Sequence, residues 1–106
     1  MASGAPDVEA IVGRYLDRLR ERIPIEAAYL YGSQVRGSAT PRSDIDVAVV
    51  SPAFGASYHR DLTLLAAARP LEGAMIAALP FTVAEHQAPP RGSFLREIIK
   101  TGRRVA

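Results

Sequence analysis

Cysteine is absent from this 106-residue chain, which excludes a disulfide framework and a thiolate metal site and is compatible with a reducing interior. The only histidines, His59 and His86, stand far apart without a nearby ligand pattern, so a histidine metal centre is not expected. No apolar run approaches the roughly 18 residues that a membrane span needs, and no basic start leads into an apolar signal core. The expectation is a cytoplasmic protein with no membrane partner. A run of five like charges is also missing: the net charge is +2, with acids and bases interspersed. With no aromatic stacking platform evident, direct nucleic-acid binding is not expected. Internal repeats and low-complexity segments are lacking too.

What is present fits one small domain spanning residues 1–106, able to bury a modest core. Pro6 and Asp7 suit a helix start, and Val8, Ile11, Val12, Tyr15, Leu16, Leu19 and Ile23 recur at spacings of three and four, which predicts an amphipathic helix ending before Pro24. Its Arg14, Arg18 and Arg22 read as a solvated face with weak ion pairs. Residues 25–31 predict a first strand and residues 44–50 a second, stopped by Ser51 and Pro52. A helix over residues 58–69, a third strand over residues 79–85 with Pro80 at an edge or start, and a last helix from Ser93 through Thr101 follow. Residues 71–78 are open between helix and loop. The class is α/β (α+β): a small mixed sheet with about four helices.

The chemistry concentrates in residues 30–50, LYGSQVRGSATPRSDIDVAVV. Alternation along the second strand puts Asp44 and Asp46 on one face and Ile45, Val47 and Val49 on the other. Two residues of extended chain span roughly 6.5 Å, so both carboxylates can converge on one or two divalent cations. Asp disfavours strands and like charges repel, so this pair calls for a compensating cation or a wet site. Upstream, a short helix beginning at Ser33 would aim a hydroxyl and free backbone N–H groups at one spot, which favours a phosphate. Gly32 permits close backbone approach, Arg36 lies one turn on, and Gly37 can end the helix.

Gly32-Ser33, ten intervening residues and then Asp44-Ile45-Asp46, with Arg36-Gly37 between and Ser43 before the first Asp, resemble the signature of minimal nucleotidyltransferases (MNT) of the DNA polymerase beta-like superfamily. The tail FLREIIKTGRRV is similar to the end of such domains. The resemblance implies transfer of a nucleoside monophosphate, AMP first among them, from an NTP to a hydroxyl. It implies Asp44 and Asp46 on two Mg²⁺ ions, with Gly32, Ser33, Arg36 and Ser43 on the nucleotide. It further implies a partner, since stand-alone MNT domains are similar to the antitoxin half of two-gene modules whose other half is a small helical HEPN protein.

One expected part is missing. The resemblance implies a third carboxylate on a following strand, and two ways of matching that strand put it at Ala77 or at Thr82, neither of which is an acid. Glu72 and Glu85 are the nearest acids in sequence. Glu85 would share a strand face with Phe81 and Val83, opposite Thr82, and would need a bulge or another register to reach the site. Two function classes therefore stand side by side, a working nucleotidyltransferase and a binding module that neutralises a HEPN-type partner by contact alone, and the small net charge disfavours a third, an RNA-binding domain using Arg14, Arg18 and Arg22.

Overall fold

The computed structural model describes residues 7–37, 39, 44–69 and 75–106. Helix α1 (Val8–Arg20) starts where Asp7 caps it, the carboxylate accepting from the Ala10 N–H at 3.1 Å. The predicted apolar stripe is the one it buries: Val12, Tyr15, Leu16 and Leu19. The helix stops at Arg20, earlier than expected, where Glu21 and Arg22 tighten to i→i−3 bonds on the Arg18 and Leu19 carbonyls; Ile23 still packs in the core. Pro6 lies outside the described residues.

Strand β1 (Ala27–Tyr31), the one-turn helix α2 (Ser33–Arg36) and strand β2 (Ile45–Val50) follow, and then helix α3 (Tyr58–Ala67), capped by Ser57. Strand β3 spans Ile76–Phe81, starting three residues and ending four residues earlier than predicted. The reason lies at Thr82, whose hydroxyl accepts from Glu85 N–H at 3.0 Å while the Glu85 carboxylate accepts from Thr82 N–H at 2.9 Å. This reciprocal capping starts helix α4 (Val83–Gln87) where the expected strand would have continued. Helix α5 (Phe94–Thr101) matches its prediction, with Ser93 as the cap. Strand β4 (Arg103–Arg104) was not foreseen; two arginines carry no strand pattern, and only their pairing with Tyr29 and Leu30 defines it.

The sheet is mixed, with order β3-β2-β1-β4. Strand β2 runs antiparallel to β1 and parallel to β3, with α3 as the crossover. Both faces of β2 are covered, and every residue in it except Asp46 is buried. On one face Ile45, Val47 and Val49 pack with Ala28, Leu30 and Ile76 against α1 and α3. Tyr15 Oη donates to the Leu65 carbonyl at 2.7 Å and Arg18 Nε to the Ala68 carbonyl at 2.9 Å, which ties α1 to α3. Arg18 thus has a structural contact that the solvated-face reading of the α1 arginines did not include. On the other face Ala27, Tyr29, Ala48 and Val50 lie beneath Ile98 of α5, with Tyr31, Phe81 and Val83 at the margin.

Candidate functional site

The site begins where β1 ends. Gly32 adopts φ 77° and ψ −147°, a conformation that side chains rarely tolerate, and a Cβ added there would run into the Asp46 carboxylate. Two constraints therefore select glycine: the backbone angle and the approach to Asp46. The chain then makes a single turn, with Val35 and Arg36 both donating to the Gly32 carbonyl at 3.1 Å. Gly37, at φ 77° and ψ 11°, closes it in the left-handed conformation. The predicted turn from Ser33 to Gly37 is present.

Asp46 is the half-buried member of β2. Its partner on β1 is Tyr31 and its partner on β3 is Ala77. Cross-strand partners share a face, so Tyr31, Asp46 and Ala77 form a row across the sheet. Asp44 stands exposed just before the strand begins. Burial, and then the nearby Asp44 carboxylate, raise the Asp46 carboxyl above its ordinary range, with Arg36 opposing. Asp46 thus feels the charges of both Asp44 and Arg36. Tyr31 is pushed up to about 12 by burial, by Asp46 and by Tyr58, so at neutral pH its phenol is protonated.

The row distinguishes the two positions considered for a third acid. Ala77 stands at the register of Asp46, whereas Thr82 is a helix cap beyond the strand. Glu85, one of the two nearest acids, is held in that cap rather than on a strand face. Glu72 and Ser43 lie outside the described residues. Among the described residues no group of three His, Cys, Asp or Glu side chains could hold a metal ion. The donor set is two carboxylates, hard oxygen ligands of the kind Mg²⁺ takes together with substrate phosphates. The Asp46 carboxylate occupies the space that a Gly32 Cβ would need, so it lies directly against the backbone of the turn.

Sequence reasoning assigned no role here to Tyr31 or Phe94. Their rings meet edge-on, 5.5 Å apart at 86°, beside Gly32. A signal existed in the aromatic residue directly before Gly32, but the other partner comes from the far end of the chain. His86, set aside as a metal ligand, shares a hydrogen bond of 2.9 Å with the Tyr29 hydroxyl on the same sheet face.

A mixed four-stranded sheet, a glycine turn and two neighbouring carboxylates define a nucleotidyltransferase-type α/β domain. The model of the polymerase beta nucleotidyltransferase family matches residues 16–106, and the chain belongs to that family. The fold is also similar to the crystal structure of a candidate nucleotidyltransferase from Sulfolobus solfataricus, with a TM-score of 0.60 and 16% identity over 81% of this chain and 84% of that one. At that identity the likeness is one of fold. No curated protein matches the sequence.

Proposed function

We propose that this domain, residues 1–106, is a Mg²⁺-dependent nucleotidyltransferase that moves a nucleoside monophosphate, AMP first among them, from an NTP to a hydroxyl of a protein partner. In that role it would be the antitoxin-type counterpart of a HEPN-like helical protein. The observation that carries the chemistry is the packing of the Gly32 backbone against the Asp46 carboxylate, which brings a glycine turn and a half-buried acid within one contact. Family membership supports the same reading.

In this reading Gly32 and Ser33 hold the β- and γ-phosphates, with Ser43 completing the cradle, and Arg36 neutralises charge as pyrophosphate departs. Asp44 and Asp46 hold Mg²⁺, which when bound neutralises the triphosphate and lowers the pKa of the attacking hydroxyl. The hydroxyl oxygen bonds to the α-phosphorus, the bond from that phosphorus to the bridging oxygen breaks, pyrophosphate leaves with the electron pair, and the hydroxyl proton passes to solvent. With an alanine and not an acid paired with Asp46 on β3, these two side chains support one ion better than two.

Ala77 also favours a second reading, in which the domain neutralises its partner by contact and the nucleotide site is vestigial. Calorimetric titration of ATP, with and without Mg²⁺, into the wild type and Asp46→Asn separates the two. The transferase reading expects Mg²⁺-dependent binding that Asp46→Asn lowers at least about tenfold, the loss expected for a charged contact. Absence of binding in both proteins would leave the contact-only module.

A further inference from the structure

Beside Gly32, on the side away from Ala77, a cleft of about 340 Å³ opens between α2 and α5. Tyr31, Val35, Arg36, Phe94, Glu97 and Thr101 are among the residues that line it. Its volume lies at the lower end of the range for small-molecule sites. Gly32 and Arg36 belong both to this wall and to the proposed phosphate cradle, so a nucleotide seated on that cradle has the cleft as its immediate neighbour. Phe94 is 55% exposed, unusual for a large apolar side chain, yet Tyr31 props it edge-on. Perpendicular packing fixes the ring without covering it. One turn along α5, the exposed Glu97 offers a carboxylate to the same cleft, and a carboxylate at neutral pH can only accept hydrogen bonds.

We infer that this cleft is a nucleobase subsite, in which Phe94 supplies the stacking surface and Glu97 accepts from an exocyclic amino group of the base. The inference rests on the transferase reading of Gly32, Arg36 and Asp46 and adds a specificity to it. A flat ring suits an exposed aromatic face, and every base offers one. The carboxylate discriminates: adenine, guanine and cytosine present exocyclic amines, whereas uracil turns carbonyl oxygens toward most approaches and would leave Glu97 facing an acceptor. The base on the α5 side leaves the opposite side of Asp46, over the small Ala77, free for the acceptor hydroxyl. In-line attack places the acceptor opposite the departing pyrophosphate across the α-phosphorus, so the base need only leave that approach open.

The test is calorimetric binding of Mg·ATP and Mg·UTP to the wild type, Phe94→Ala, Phe94→Tyr and Glu97→Gln. Wild type should prefer ATP to UTP by about tenfold, the discrimination expected when a mismatched base leaves a charged acceptor unpaired. Phe94→Ala should weaken ATP by about tenfold, within the range for loss of one base-stacking contact, while Phe94→Tyr restores it. Glu97→Gln should bring ATP and UTP to within about twofold, because the amide can donate to a uracil carbonyl as well as accept from adenine. Phe94 and Glu97 are both exposed, so unchanged melting temperatures will show that each variant is folded. Mg²⁺-dependent ATP binding that Phe94→Ala leaves unchanged, with an ATP-to-UTP ratio that Glu97→Gln does not alter, would overturn the subsite and leave the transferase reading standing. Absence of any Mg²⁺-dependent binding in the wild type would overturn both.

Discussion

The two faces of the sheet are built from the same strands and do different work. Under α1 and α3 the face is dry and aliphatic: Ile45, Val47, Val49, Leu30 and Ile76 are each at most 1% exposed, and the helices bring Leu16, Leu19 and Leu65 to meet them. Under α4 and α5 the lining is Ala27, Ala48 and Val50, with tyrosines at 29 and 31, and it gives way to Asp46 at one end. One register position separates the buried Ile45 from the half-buried Asp46. The contrast teaches that stability and chemistry are divided by strand alternation, so the second face can carry a costly carboxylate because the first supplies most of the burial.

The sharpest way to break this comparison is to cut into the aliphatic face. Leu19→Ala should destabilise the chain by about 3 kcal/mol, the usual loss for a fully buried leucine, read as a fall in the urea midpoint with little change in slope. A loss below about 1 kcal/mol would mean that α1 contributes less to the core than its burial indicates.

Gly32→Ala comes next, because it joins the faces' two roles at one position. A side chain there must adopt an unfavourable backbone conformation and displace the Asp46 carboxylate, so stability should fall by about 1–3 kcal/mol. Nucleotide affinity should fall with it. Wild-type stability and affinity in this variant would show that the turn can rearrange away from Asp46.

The smallest effect belongs to Asp46 itself. Its folded carboxyl titrates above the unfolded value, so between the two the folded state holds more protons than the unfolded state, and stability declines as pH rises through that window. Asp46→Asn removes the cost of an ionised, partly buried acid. Without Mg²⁺ it should be slightly more stable than wild type at neutral pH, and the gain should shrink as pH falls toward the ordinary carboxylate range. Parallel stability curves for the two proteins from neutral to acidic pH would show that burial does not penalise the charge.

The elements of the fold were legible where periodicity was strong. The α1 stripe, the alternation of β2 and the Ser93 cap of α5 each announced themselves within a few residues. Errors fell where one local signal outweighed another. Residues 79–85 look strand-like by composition, yet Thr82 and Glu85 stand at the spacing of a capping box, and reciprocal hydrogen bonding there ends the strand. Strand β4 has no pattern of its own and exists because β1 offers it an edge. In the candidate site, the Gly32-Ser33 turn and the Asp44, Asp46 pair were readable as a motif. The choice between Ala77 and Thr82 was not, because it depends on the register of a parallel pair joined by a long crossover.

By itself, then, the sequence determined which residues are apolar on which period, where the turns and caps fall, and that a glycine turn precedes two alternating acids. Those are consequences of backbone sterics and short-range hydrogen bonding, which act within a few residues. Only the tertiary structure decided that Gly32 packs against Asp46, that Tyr31 and Ala77 flank it, and that Phe94 returns from the end of the chain to stand beside Tyr31. Such contacts depend on strand order and register, which are set when the whole core closes and both faces of β2 are buried together.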